Sequence, residues 1–270
     1  MSTANALLQH ETTIRLGFFF GVFLLMAGLE IIRPRRELHT SKLRRWGSNL
    51  GITLLNTVIL RLLFPAAAVG VAMFAQVHEL GLFNTVALPG PLVVILSVVI
   101  LDLTIYCQHV IMHKIPILWR LHRMHHVDLD FDVTTGARFH PVEIILSMLI
   151  KFIAILLLGA PALAVLIFEV VLNATAMFNH SNVRLNLGLD KVLRLLVVTP
   201  DMHRVHHSVI RRETDSNFGF NLPWWDRLFG TYRPQPEAGH TAMRIGLEDI
   251  RSERLCVNLL GMLKLPFIRA

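Results

Sequence analysis

The chain has 270 residues, of which 53% are hydrophobic and only 17% charged, with a mean hydropathy of +0.54. Soluble domains carry nearer to a quarter charged residues, so this composition excludes an ordinary soluble domain and points to a membrane protein. The net charge of +7 alternates with long apolar runs, which favours lipid headgroups and cytoplasmic loops over nucleic acid as the partner of the basic residues.

Five apolar segments follow in chain order: 13–32, 52–74, about 91–113, 142–158 and 162–178. The first three are long enough to cross a hydrocarbon core of roughly 30 Å, which takes about 20 helical residues. The last two, split by Gly159-Ala160-Pro161, are read as two short spans, with a re-entrant helical hairpin as the alternative. The expected fold is all-α: an integral membrane helical bundle of four to five membrane segments, capped by cytoplasmic helices. The start lacks a basic region and a small-residue cleavage site, so no removable signal peptide is expected. Cys107 and Cys256 make no disulfide framework.

Charge orients the spans. Residues 33–46, RPRRELHTSKLRRW, hold six Lys/Arg, and residues 75–89 hold none. The first connection is therefore expected on the cytoplasmic side. The third span then returns to the cytoplasm at His113, and the hairpin leaves and comes back near His180. The Arg-rich remainder from 181 stays there.

Ten of the 14 histidines lie between 109 and 207, all near the predicted cytoplasmic ends. They include His109 and His113 in HVIMH, and His122, His125 and His126 in HRMHH. His140 follows in RFHP and His180 in FNHSN. His203, His206 and His207 come last, in HRVHH. Residues three and four apart share a helix face, so each group can project its imidazoles together. Pro116 separates the first helix from the second, and Pro200 with Asp201 opens the third. Imidazole suits zinc, copper, iron and nickel, and eight or nine clustered imidazoles exceed the appetite of a single metal, which suggests two.

HVIMH, HRMHH and HRVHH in this order resemble the three histidine boxes of the fatty acid hydroxylase / sterol desaturase superfamily. DLTIYCQHVIMH upstream, RFHPVE, FNHSN and NFGFNLPWWDRLFGTY downstream extend the likeness over about 102–233. The resemblance implies a di-metal centre, normally two irons (with zinc possible in a purified sample), that uses O2 to hydroxylate or desaturate a lipid-like substrate. It implies His109, His113, His122, His125, His126, His203, His206 and His207 as ligands, with His180 as a ninth. Arg184 stands where some members carry a further histidine. His140 matches the family's His-Pro element, with ligation and a turn role both open. The implied organisation is an N-terminal transmembrane region at 1–100, a catalytic region at 101–235 and a cytoplasmic tail at 236–270. No haem-binding, dinucleotide or iron–sulfur motif is present, so a separate electron donor such as a ferredoxin or cytochrome system is expected. The membrane would be the inner one in a bacterium, or the endoplasmic reticulum in a eukaryote.

Asp102 and Tyr106 share a helix face with His109, and Asp102 is expected to accept from a ligand's second ring nitrogen. Asp128, Glu143, Glu169 and Asp201 can do the same by type, and spacing does not choose among them. Asn179 either holds His180 or caps its helix. Trp224 and Trp225 are read as interfacial anchors in a lid, and Lys151 as a snorkelling residue. His10, His39, His78 and His240 are isolated and read as structural. The competing classes are a histidine-lined metal transporter, with ligands strung along its spans, and a non-catalytic di-zinc protein.

Overall fold

The computed structural model describes residues 3–268. In lipid a chain must satisfy its own backbone hydrogen bonds, which long apolar runs achieve as helices. After a short α1 (Thr3–Gln9) come α2 (Glu11–Ile32), α3 (Lys42–Leu63), α4 (Ala67–Val77) and the single turn α5 (Leu82–Thr85). Then follow α6 (Gly90–Lys114), α7 (Pro116–His126), α8 (Pro141–Leu158) and α9 (Ala162–Asn179). Five stretches are long and apolar enough to cross a membrane: Glu11–Ile32, Lys42–Thr85, Gly90–Lys114, Pro141–Leu158 and Ala162–Asn179. No extended strand occurs among the described residues, which carry only isolated bridges such as Pro34 with Val183.

The second stretch departs from the continuous span expected at 52–74. Its helix begins ten residues earlier at Lys42, breaks at Phe64–Ala66 and resumes at Ala67. Pro65 explains the break, since its ring removes a donor and clashes with the preceding turn. Beyond the break, Ala68, Ala72 and Ala75 are fully buried, and the first two join Ile155, Ala162 and Val165 of the α8–α9 hairpin in one core cluster. Small residues on such a seam let helix backbones approach closely where lipid supplies no hydrophobic drive. The outer surface is apolar instead: Phe18, Leu24 and Ile31 of α2 are all exposed.

A polar cap covers the end of the bundle where α6 finishes. Ile115 is extended before Pro116, so α7 folds back beside α6. Two further helices matter here, α10 (Leu187–Leu193) and α11 (Pro200–His206), the latter capped by Thr199, whose side chain accepts from the Met202 N–H. The loop 127–138 between α7 and α8 is pinned by buried ion pairs. Arg45 binds Asp128 through two hydrogen bonds of 2.8 Å and reaches Asp132 at 2.5 Å, and Arg138 lies 3.4 Å from Asp128. These guanidiniums hold the Asp128 carboxyl well below the usual range despite its burial. Arg45, counted above within a basic loop, is thus internal to the cap. The segment from 239 packs inward too: Arg138 donates to the Cys256 carbonyl at 2.7 Å, and Met124, Val127, Cys256, Met262 and Leu265 share a core.

Candidate metal centre

The nine box-type histidines are all buried and converge, but not word by word. His109, His113, His122, His126 and His206 form one set, and His125, His180, His203 and His207 form a second. Within each set the candidate ligand atoms all lie within 4.8 Å of one another. Each H-R-x-H-H word is therefore divided. In α7 the i,i+4 pair His122/His126 serves the five-membered set and His125 serves the other. In α11 and at its C-cap the assignment is crossed: His203 and His207 serve the four-membered set, and His206 the first. The two words are complementary halves, two-plus-one and one-plus-two.

Ring orientation follows from what each outer nitrogen touches. His109 Nδ1 lies 2.8 Å from the Phe218 carbonyl, His206 Nδ1 2.7 Å from the Ser216 carbonyl, and His180 Nδ1 2.8 Å from the Ala176 carbonyl. A carbonyl only accepts, so each Nδ1 carries the proton and each Nε2 of the neutral ring is a bare lone pair. His122 Nδ1 is 2.6 Å from Glu143 Oε1, and His113 Nδ1 3.3 Å from Asp215 Oδ1.

The Nε2 atoms of the two sets face one another. His109 Nε2 is 3.0 Å from His206 Nε2 and 3.2 Å from His122 Nε2, and His113 Nε2 is 3.1 Å from His126 Nε2. In the second set His180 Nε2 lies 3.1 Å from His125 Nε2 and 3.0 Å from His203 Nε2. Burial and neighbouring imidazoles push His125, His126, His203 and His207 well below the ordinary value, which disfavours the doubly protonated ring. Burial alone is the largest cause for His180 and His206, both lowered to about 3. Nε2 lone pairs converging in this way repel unless a partner ring turns its single N–H inward or a cation lies among them. Metal–imidazole bonds of about 2.0–2.1 Å put adjacent ligand nitrogens roughly 3 Å apart, which is the spacing observed. The residues present fit two metal ions, and the all-nitrogen donor set suits a transition metal.

The other sequence candidates fall elsewhere. Asp102 does not meet a histidine; its carboxylate accepts from Trp225 Nε1 at 2.8 Å and from the Leu222 N–H at 3.3 Å. Tyr106 bonds Thr231 through its hydroxyl and stacks on Phe229, so the face of α6 that displays His109 also anchors the 222–232 segment. His140 lies outside both sets and caps α8, with Nδ1 accepting from the Val142 N–H. Asn179 donates to the Phe220 carbonyl at 2.9 Å, which braces the chain carrying Phe218. Arg204 pairs with Asp201, which also binds Arg35. Lys151 does not snorkel; its ammonium meets Glu169 at 2.6 Å inside the bundle. Of the four acids left open by spacing, Glu143 alone reaches a ligand candidate. Asp215 was not anticipated, and no local pattern marks it, since it is 102 residues from His113.

A cavity of about 330 Å³ opens beside the five-membered set. His109, His122 and Glu143 line one end, Phe139, Met148 and Leu172 the walls, and Lys151 with Glu169 the other end. It lies between α2, α3, α6, α8 and α9 and is mainly apolar.

Two imidazole sets at one end of an apolar helical bundle, beside a cavity, define a membrane protein with a polyhistidine cluster able to hold metal. Residues 94–231, half of the chain, match the fatty acid hydroxylase family model, and the chain belongs to that family. It is 32% identical over 176 residues to an ornithine lipid hydroxylase of Rhizobium tropici, covering 65% of this chain and 50% of the relative. It is 28% identical over 192 residues to an alkylglycerol monooxygenase of Xenopus tropicalis (70% and 42%), and 32% identical over 139 residues to that of Homo sapiens (50% and 29%). The chain thus spans half or less of the length of these curated relatives. No solved structure matches it.

Proposed function

We propose that this chain is a membrane-bound non-haem di-iron oxygenase that hydroxylates or desaturates a lipid-like substrate. The observation that carries the reading is the convergence of nine buried imidazoles in two adjoining sets of candidate ligand atoms, next to a largely apolar cavity. Iron at both sets would supply the reductive activation of O2 needed to attack an unactivated C–H bond. His109, His113, His122, His126 and His206 would hold one ion, and His125, His180, His203 and His207 the other. Hydroxylation consumes O2, two electrons and two protons per C–H bond and yields an alcohol and water; desaturation yields an alkene and two waters.

The chain's own residues position and exclude. Glu143 and Asp215, with the Phe218 and Ser216 carbonyls, fix ring direction; the carboxylates also strengthen the imidazoles as donors. Burial keeps bulk water from the rings, and the cavity presents an apolar chain to the His109–His122 side. The names of the relatives, which act on an ornithine lipid and on alkylglycerols, support a polar lipid as substrate. Electrons would come from a separate donor, a ferredoxin or cytochrome system. The basic 33–46 segment favours placing the histidine end on the cytoplasmic side. A transporter would want ligands along the spans, whereas these gather at one end of the bundle.

The test is anaerobic purification with metal analysis, then one round of reduction and O2 exposure with a lipid extract. Two irons per chain, O2 uptake and an oxidised lipid are expected. Tight metal binding with no O2 uptake after reduction would sink the oxygenase reading and leave the structural di-zinc alternative.

A further inference from the structure

The end of the cavity away from the histidines is charged, in the middle of the helical bundle. Along α8, Glu143, Ser147 and Lys151 recur every four residues and line one wall; along α9, Glu169, Asn173 and Ala176 line the opposite one. Lys151 donates one N–H to Glu169 Oε1 at 2.6 Å. The other oxygen of Glu169 is taken by Arg15, which also binds Glu11 at 2.8 Å. Glu169 is therefore satisfied at both oxygens. Lys151 is not: its ammonium has three donors, and Glu169 is its one partner among the described residues. Ionisable groups inside a membrane segment are expensive and mark functional sites unless fully paired. Unspent donors on a buried ammonium are costly until something accepts them.

We propose that Lys151 is a polar receptor at the end of the substrate cavity away from the histidines, binding a neutral oxygen function of the lipid, a hydroxyl or carbonyl. The charge of the network decides against a carboxylate. Glu11 and Glu169 balance Arg15 and Lys151, so the site is neutral as built. An anionic ligand would leave one uncompensated charge in low dielectric, while a neutral oxygen satisfies an N–H without adding any. Lys151 lies eight residues beyond Glu143, about 12 Å along the helix. The oxygen would thus be held about that distance from the histidine end, and oxidation would be counted from it. The idea rests on the cavity being the substrate site proposed above, but its test does not depend on turnover.

The experiment uses the full metal-loaded chain in detergent and measures bound probe per chain by native mass spectrometry. The probes are hexadecan-1-ol, hexadecane and palmitate. The wild type is expected to bind the alcohol about tenfold more tightly than the alkane, the size of one hydrogen bond to a charged donor, and more tightly than palmitate. Lys151→Arg should keep the preference. Lys151→Met with Glu169→Gln, which leaves the network neutral, should abolish it while alkane binding and metal content stay unchanged. Equal binding of alcohol and alkane by the wild type, or a preference for palmitate, would overturn the proposal. So would a preference that survives in the double variant. A chain that shows the alcohol preference yet takes up no O2 would retain the receptor and lose only the oxygenase reading.

Discussion

The two histidine sets are made of one residue type and held by different means. In the five-membered set, His109, His113, His122 and His206 each have an outer nitrogen on an acceptor, two of them carboxylates. In the four-membered set, His180 alone has one; His125 Nδ1, His203 Nδ1 and both nitrogens of His207 find no partner among the described residues. Packing orients those rings. His125 stacks on Phe139 with centroids 4.4 Å apart and planes 13° apart, and His207 lies 4.6 Å from the His126 ring and 5.0 Å from Phe131. The first set also borders the cavity, through His109 and His122, while no member of the second lines it. Hydrogen bonds to carboxylates raise ligand basicity and stacking does not, so the set with carboxylate partners is the one placed beside the cavity.

Ligand deletion breaks this comparison most sharply. His207→Ala leaves three imidazoles in the smaller set, and His113→Ala leaves four in the larger. Four nitrogens suffice for a closed metal site and three leave it open. Under chelator competition, metal analysis should therefore find about one ion per chain lost more readily from His207→Ala than from His113→Ala. Equal loss in the two variants would mean that the sets do not act as separate sites.

Gly136→Ala attacks the smaller set through the backbone. A Cβ at Gly136 would stand 2.7 Å from the Ala176 carbonyl and 3.0 Å from His180 Nδ1, the acceptor and donor of the one hydrogen bond that orients a ring in that set. The clash is with backbone and a packed ring, so it relaxes only by moving them. Overpacking of this kind costs about 1–3 kcal/mol. The thermal midpoint should fall, with metal lost from the smaller set first.

Much of this was legible in the residues and some was not, for identifiable reasons. The apolar runs marked all five membrane segments because hydropathy reads them locally, and Pro116 and Pro200 marked where α7 and α11 begin. Helical spacing put His122, His125 and His126 together, but not their division between two sets. That division depends on how α7 and α11 cross, which no local pattern encodes. Asp102 has the right type and spacing for a histidine partner, yet its partners lie 120 and 123 residues on. Lys151 looked like a snorkelling residue because its counter-ion sits on the next helix. Backbone acceptors such as the Phe218 carbonyl leave no trace in residue identity at all.

Outer-contact variants sharpen the comparison within the larger set. Glu143→Ala strips His122 of its 2.6 Å partner in a fully enclosed setting, and loss of such a contact costs about 10–100-fold in metal affinity. Asp215→Asn should cost less, because its contact to His113 is 3.3 Å and its carboxylate is 21% exposed. Competition with a chelator under reducing conditions ranks the two; an Asp215→Asn effect as large as that of Glu143→Ala would contradict the distance argument.

The smallest expected effect tests whether packing replaces hydrogen bonding in the smaller set. Phe139→Leu keeps an apolar wall but removes the ring on which His125 lies nearly parallel. Aromatic pairs of this geometry are worth about 0.5–1.5 kcal/mol beyond their buried area, so metal affinity of that set should fall by about tenfold or less. Phe139 also lines the cavity, so shape changes there would disturb substrate as well. Measuring metal affinity without lipid separates the two. If Phe139→Leu left affinity unchanged while Glu143→Ala lowered it, stacking would contribute nothing to ring orientation. The unpartnered nitrogens of His125, His203 and His207 would then need a different account, with ordered water as the first to seek.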